Sequence, residues 1–212
     1  MFDSYLSESI IARAIKERKI NVNLINPRSY AGNKHKTVDD RPYGGGPGMV
    51  MQAEPILRAF KKIKQKIDRR KTASKVKVII FSPNGKIFTN EYADKLLKNY
   101  TDVVFISGRY EGIDARVKKA LRAEEVTIGP YVLTGGELPA MVAIDVIARR
   151  VPGVLGCGES VEERRVSSSE VYTRPEVFEY EGKKYKVPKV LLSGDHKKIE
   201  EWKRKSNLKS QK

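Results

Sequence analysis

Two glycine-rich stretches, residues 107–114 (SGRYEGID) and 128–139 (IGPYVLTGGELP), carry residue types through which a main chain can hold a ligand. Each begins where a short apolar run stops and ends where a helical pattern begins, the strand-to-helix junction at which open α/β sheets bind ligands. Lacking a Cβ, Gly108, Gly112, Gly129, Gly135 and Gly136 let backbone N–H and C=O groups come close to a bound molecule. A third stretch, residues 82–86 (SPNGK), sits at another strand end, and three such loops at one sheet edge suit a compact, partly apolar ligand. Glycine spacing is a weak signal taken alone, because tight turns without a ligand would look the same. The chain has no G-x-x-x-x-G-K-[ST], which argues against a P-loop nucleotidase, and no G-x-G-x-x-G after a strand, which argues against a dinucleotide enzyme.

Residues 34–51 (KHKTVDDRPYGGGPGMVM) put a basic cluster, Asp39, Asp40, Arg41, Tyr43 and a rigid glycine-proline run in one loop with little to bury. Loops of this length without structure of their own are usually functional or disordered, and the mixture of residue types points to part of a site.

The partner class follows from charge. The 212 residues hold 42 Lys plus Arg against 26 Asp plus Glu, a net charge of +16. A polyanion is the expected partner. No apolar run approaches the ~20 residues of a membrane span, so nucleic acid is favoured over membrane. The single cysteine, Cys157, excludes an intrachain disulfide and fits a reducing, cytoplasmic compartment, and His35 and His196 are too far apart in sequence to suggest a metal pair. No secretory signal opens the chain.

The elements that must position these loops can be read in order. Residues 4–18 place Leu6, Ile10, Ile11, Ala14 and Ile15 on one stripe of an amphipathic helix, and residues 20–25 alternate as a half-buried strand would. Residues 53–67 read as a helix that turns strongly basic, with seven cations against one acid over 61–71. Strand 76–81, helix 89–99, strand 102–107, helix 112–121 and strand 126–133 follow, leading to a helix that ends at Arg150. Such alternation predicts a parallel-sheet α/β domain. Residues 158–170 hold almost nothing to bury and are expected to be disordered until RNA arrives. A helix is expected over 195–205, within a stretch, 183–212, of eleven basic residues against three acids that suggests an RNA-facing tail.

Segments TVDDRPYGGGPGM (37–49), SGRYEGID, IGPYVLTGGELPA, VPGVLG (151–156), YTRPEV (172–177) and VPKVLLSGDH (187–196) closely resemble the bacterial tRNA (guanine-N1)-methyltransferases of the TrmD family. Six motifs in order over nearly the whole chain are far more specific than any one of them. The resemblance implies an S-adenosylmethionine-dependent enzyme of the SPOUT α/β class, with a C-terminal trefoil knot in its parallel sheet, acting as a homodimer on the anticodon stem-loop of tRNA at guanosine 37. It puts the methyl-donor pocket on Phe81, Ser82, Pro83, Gly108, Ile128, Gly129, Pro130, Tyr131, Val132 and Leu133, with Gly135 and Gly136 close by. Pro130 stands where relatives often carry an acid, which removes one side-chain contact.

Guanine keeps a proton on N1 at neutral pH, and negative charge gathers on O6 when that proton leaves, so the chemistry needs a base and a cation. The resemblance implies Arg149 as the cation and Glu111 as a holder of Mg2+ near the donor. The base aligns with residues 162–165 (EERR), where Glu163, with Glu162 as its neighbour, stands in for the aspartate of relatives; Glu163 is also a candidate metal contact.

The expected organisation is a methyltransferase domain over 1–157, a flexible linker over 158–171 and a truncated C-terminal RNA-binding region over 172–212. Relatives begin with a further strand and an LFPEMF-like turn. Either the start lies inside a longer reading frame or that strand is absent. The competing expectations are a non-catalytic tRNA-binding remnant that keeps the donor pocket, and an α/β enzyme for a small anionic substrate, which would leave the basic tail unexplained.

Overall fold

Short apolar runs alternate with helical patterns between residues 76 and 148, and in the computed structural model they fold as alternating strands and helices. The structure describes residues 1–70, 73–155 and 170–210, with side chains as far as 206. Two compact units divide the chain, Met1–Leu155 and Gly156–Lys212. In the first unit the order is α1 (Phe2–Leu6), α2 (Ser9–Lys16), a 3-10 turn (Pro27–Tyr30), β1 (Asp39–Asp40), β2 (Val50–Met51), α3 (Ala53–Asp68), β3 (Val76–Ile87), α4 (Asn90–Asn99), β4 (Asp102–Ile106), α5 (Ala115–Leu121), β5 (Glu124–Thr127) and α6 (Glu137–Ala148).

β3 lies between β4 and β5 and pairs parallel with both, Val76 opposite Asp102 on one side and Ile79 opposite Glu124 on the other. Parallel sheets are covered on both faces, and the alternation along β3 shows how. Val78 and Ile80 pack with Ile56 of α3 and Val117 of α5, whereas Ile79 and Phe81 pack with Tyr92 and Leu96 of α4 and Ala140 and Ala143 of α6. Two helices beside the sheet, α4 and α5, are capped by side chains: Thr89 Oγ1 accepts from the Tyr92 N–H at 3.2 Å and Asp114 Oδ1 from the Arg116 N–H at 2.9 Å.

Several boundaries differ from the sequence expectation. The first helix breaks between Leu6 and Ser9, although Ile11 and Ala14 are buried as expected. The break lets the Tyr5 hydroxyl donate to Asp145 of α6. Residues 20–25 form no strand; Ile20, Val22 and Ile25 are half-buried, Leu24 is exposed, and the segment pairs in no sheet among the described residues. The loop over 34–51 is closed at its ends by the antiparallel pairing of β1 with β2. β3 does not stop at Phe81: residues 82–85 bulge out, Lys86 pairs with the same Val126 that Phe81 already pairs with, and Gly85 packs directly on the Val126 backbone. SPNGK is therefore a crossing within the strand and not a loop after it. α5 begins at Ala115 because Ile113 is held in a bridge to Met51, β5 ends at Thr127, and α6 ends at Ala148.

The second unit contains β6 (Val177–Tyr180), β7 (Lys183–Lys186), α7 (Lys189–Leu192) and α8 (His196–Ser210). The two-residue turn Glu181-Gly182 takes positive φ at both positions, +50° and +73°, the geometry that matches strand twist in tight hairpins. Phe178 and Tyr185 stack across the hairpin at 5.2 Å, and Tyr172 meets Trp202 at 6.2 Å. α8 begins one residue after the expected start because Asp195 caps it, its Oδ1 accepting from the Lys198 N–H at 3.2 Å.

Ile79 is fully buried between the sheet and α4 and α6. Ile79→Ala should cost about 2–5 kcal/mol in urea unfolding followed by circular dichroism, because the helices can close only part of the cavity. A polar contact at the sheet's edge adds a pH dependence. Glu124 accepts from the Tyr92 hydroxyl at 2.8 Å and pairs with Lys77 at 2.6 Å. Burial pushes the Glu124 carboxyl up, but the bonds from Lys77 and Tyr92 outweigh it and hold the group below its ordinary 4.5. A depressed carboxylate contributes stability above its unfolded value and loses it as pH falls through the folded one. Glu124→Gln should therefore be less stable than wild type at pH 7, and the gap should narrow below pH 4.5 in the same titration.

Candidate active site

Because β3, β4 and β5 run parallel, the segments leaving Phe81, Ile106 and Thr127 emerge at one edge of the sheet. There residues 107–109 and 135–137 meet backbone to backbone. The Gly136 N–H donates to the Gly108 carbonyl at 2.8 Å, and the Ser107 hydroxyl donates to the Gly136 carbonyl at 3.0 Å. A Cβ on Gly136 would stand 2.7 Å from Ser107 Cα, so only glycine permits the approach. An ion pair braces the junction: Arg109 Nε donates to Glu137 Oε1 at 2.7 Å, and this bond raises the affinity of the guanidinium for its proton.

The long polar loop joins the same junction. The Met51 N–H donates to the Gly112 carbonyl at 2.9 Å, the Glu111 N–H to the Met49 carbonyl at 3.0 Å and the Asp114 N–H to the Met51 carbonyl at 3.0 Å. A Cβ on Gly48 would stand 2.6 Å from Glu111 Oε1, so the glycine run passes directly over that exposed carboxylate. Arg116 beside Asp114 holds the capping carboxyl below its ordinary range, which keeps it an acceptor at the head of α5.

Residues 128–133 of the expected donor pocket form an open loop. Thr127 Oγ1 donates to the Gly129 carbonyl at 2.8 Å and accepts from the Gly129 N–H at 3.2 Å, and the Tyr131 hydroxyl donates to the Ile128 carbonyl at 3.2 Å. Gly129 is buried and Pro130 exposed, and Tyr131, Val132 and Leu133 present apolar surface to solvent, Val132 to 81%. Phe81 is buried against Phe105 with ring centroids 5.4 Å apart, and Ser82 and Pro83 follow it into the crossing over β5. Such an edge offers main-chain donors and acceptors beside apolar side chains, a surface suited to a planar heterocycle held by its polar rim.

The expected catalytic groups are not all brought together. Glu111 lies at the loop junction. Arg149 caps the far end of α6, thirteen residues beyond Gly136 and roughly 20 Å along a helix rising 1.5 Å per residue. It is half-buried, and its charge is felt at the Tyr5 hydroxyl, which burial first and then the bond to Asp145 push up to about 12. Glu162 and Glu163 lie outside the described residues. Among the described residues no three His, Cys, Asp or Glu side chains cluster as a metal site. Sequence reading missed the Arg109–Glu137 brace and the docking of residues 49–51 on 111–114. The first left a trace, opposite charges in the two glycine loops; the second left none, since a two-residue pairing has no period.

A family model described as tRNA (Guanine-1)-methyltransferase TrmD matches residues 1–212. A tRNA (guanine-N(1)-)-methyltransferase of Pseudoalteromonas atlantica is 45% identical, the match covering 98% of this chain and 76% of that protein. Proteins of the same description from Alkaliphilus oremlandii and Clostridioides difficile are 45% and 43% identical, each over 98% of this chain and over 83% and 88% of their own lengths.

Gly136→Ala should force the two loops apart at a cost of about 1–3 kcal/mol, the range for overpacking. Calorimetry should find the melting temperature several degrees lower, and an unchanged value would contradict the contact.

Proposed function

The chain belongs to the tRNA (guanine-1)-methyltransferase TrmD family, and we propose that it methylates the ring N1 of a guanosine in tRNA, the one at position 37 beside the anticodon, with S-adenosylmethionine as donor. The observation that carries this reading is the junction of residues 107–109 with 135–137, a backbone cradle closed by Gly136 at the edge of a three-stranded parallel sheet. The family implies the SPOUT fold, and we read the passage of 128–137 against 107–109 as the place of its trefoil knot. Among the described residues no helix is long and apolar enough to cross a membrane, and a cytoplasmic location is part of the same proposal.

The residues present fit the donor. A flat adenine would rest on Leu133, Tyr131 and the glycine backbone, its ring nitrogens matched by main-chain groups of 128–136, with Phe81, Ser82, Pro83 and Gly108 completing the walls. The bound donor supplies an electrophilic methyl group. Mg2+ binds through one or two carboxylates and keeps water on its remaining positions, so Glu111 is enough protein ligand for such an ion, and Glu163 would be a second.

The chain's own work is to move a proton and steady a charge. In this reading the Glu163 carboxylate accepts the N1 proton, and the Arg149 guanidinium donates hydrogen bonds to O6 as negative charge builds there. Arg149 and Gly136 sit at opposite ends of α6, so one chain does not present both at one point. A site shared between two copies resolves this. Support for a homodimer comes from Leu138 and Val142, exposed to 47% and 44% on the outer side of α6, with Val132 nearby in sequence on the donor loop.

A single-turnover assay with labelled donor and a tRNA transcript carrying guanosine at position 37 should give methylated N1. Replacing that guanosine with adenosine should abolish the product. Glu163→Gln should slow transfer by on the order of a hundredfold or more with donor affinity intact by calorimetry, and Arg149→Ala should do the same. If donor binds but no methyl reaches tRNA, the chain is a tRNA-binding remnant; if Glu162→Gln alone shows the loss, the base is its neighbour.

A further inference from the structure

The helix layers on the two faces of the sheet differ in charge. α3 carries five cations against two acids and α5 three against none, whereas α4 carries two of each and α6 none against two. α3 and α5 pack side by side, with Ile56 and Val117 turned to the sheet, so their cations stand on the outer surface. Part of this charge is matched locally: Lys64 pairs with Asp68 at 2.5 Å, Arg70 with Asp102 at 2.8 Å, Arg116 with Asp114 at 2.5 Å and Lys118 with Glu125 at 2.5 Å. Lys61, Lys62, Lys66, Arg69, Lys119 and Arg122 are exposed, and none forms an ion pair among the described residues. At the margin of this face is a cavity of about 530 Å³ lined by Lys77, Lys86, Lys118 and Arg122 with Glu124 and Glu125. The two acids are engaged by Lys77 and Lys118, Lys86 lies over the Tyr92 ring at 5.4 Å, and Arg122 forms no ion pair among the described residues.

We propose that the α3–α5 face is a docking surface for the phosphate backbone of RNA, built into the methyltransferase unit and additional to the basic stretch of the second unit. The proposal rests on the reading of the chain as a tRNA methyltransferase. Phosphate contacts need exposed, unpaired cations spread along a surface and no base-specific groups, which is what two adjacent helices supply here. α3, with 16 residues, is about 24 Å long, enough to track several phosphates. An anionic membrane would call for large apolar side chains among the cations. Along α3 and α5 none is exposed. The exposed apolar residues of α6 lie on the opposite layer, so a second copy seated there leaves the basic face open.

The test compares the wild-type chain, a five-site variant (Lys61→Gln, Lys62→Gln, Lys66→Gln, Lys119→Gln, Arg122→Gln), a two-site variant (Lys119→Gln, Arg122→Gln) and a control in the second unit (Lys183→Gln, Lys184→Gln, Lys186→Gln). Affinity for one tRNA transcript is measured across salt concentrations, with methyl transfer at saturating tRNA. The slope of log affinity against log salt should flatten by about one for each phosphate contact removed, so by two or more in the five-site variant and by about one in the two-site variant. The KM for tRNA should rise at least tenfold in the five-site variant, while kcat and donor affinity stay within about twofold. Wild-type slope and KM in a folded five-site variant would overturn the proposal, as would the same result in the two-site variant should the larger one fail to fold. Loss of phosphatidylserine vesicle binding with tRNA binding unchanged would overturn it in favour of a membrane. Absence of methyl transfer in the wild type and the control together would fault the assigned reaction instead, because the slopes report docking independently of turnover.

Discussion

Everything at the candidate site depends on how closely two stretches of main chain approach one another. Gly136 sits against Ser107 and Gly108 with no space for a single added carbon, and the hydrogen bonds that cross there use backbone groups on both sides. A contact made of main chain fixes positions more tightly than one made of side chains, because no rotamer can absorb a shift. The Arg109–Glu137 pair and the short ladder between 49–51 and 111–114 then tie two further segments to that point. The result is a rigid floor under an exposed, apolar loop, a combination suited to a ligand recognised by shape and by its polar rim.

α6 has two roles that pull on its composition. Its first turn completes the cradle, and small residues, Ala140 and Ala143, let it lie close on the sheet over Ile79 and Phe81. Its outer side keeps Leu138 and Val142 in solvent and carries no cation. A helix apolar on both sides is stable only if both are covered, so a second copy on that side is consistent with its composition. The opposite layer, charged and with no large apolar side chain exposed along α3 or α5, follows a different logic, and the sheet between them keeps the two surfaces apart.

Much of the fold could be read from the chain because its signals are local. The apolar run 76–81 and the stripe Tyr92, Leu96 specify a buried strand and its covering helix almost unaided, and Thr89 and Asp114 mark helix starts by their hydrogen-bonding side chains. What stayed hidden depends on distant partners. Residues 20–25 alternate like a strand but enter no sheet among the described residues, and SPNGK has the composition of a turn although it is held inside β3 by Val126. At the site, the glycine loops were visible as composition and the family motifs as pattern. The separation of Arg149 from Gly136 was legible too, because the helix expected to end at Arg150 already puts the two residues at its opposite ends.

The double pairing of Val126 bears on how the chain reaches this structure. β5 is four residues long, and both of the segments it pairs with belong to β3, about 40 residues earlier. β4 is nearer in sequence and rests on β3 alone. Closing the larger loop costs more entropy, and β5 has no complete set of partners until β3 has made its crossing at 82–85. β5 therefore rests on the longest-range pairing of the sheet, and because the site's loops flank β5 the cradle's geometry depends on that pairing being complete. High sequence separation of this kind makes folding slow relative to a helical bundle of equal length. Any change that weakens the two contacts of Val126 with β3 would accordingly reach the ligand-holding loops on either side of β5, however far it lies from them in sequence.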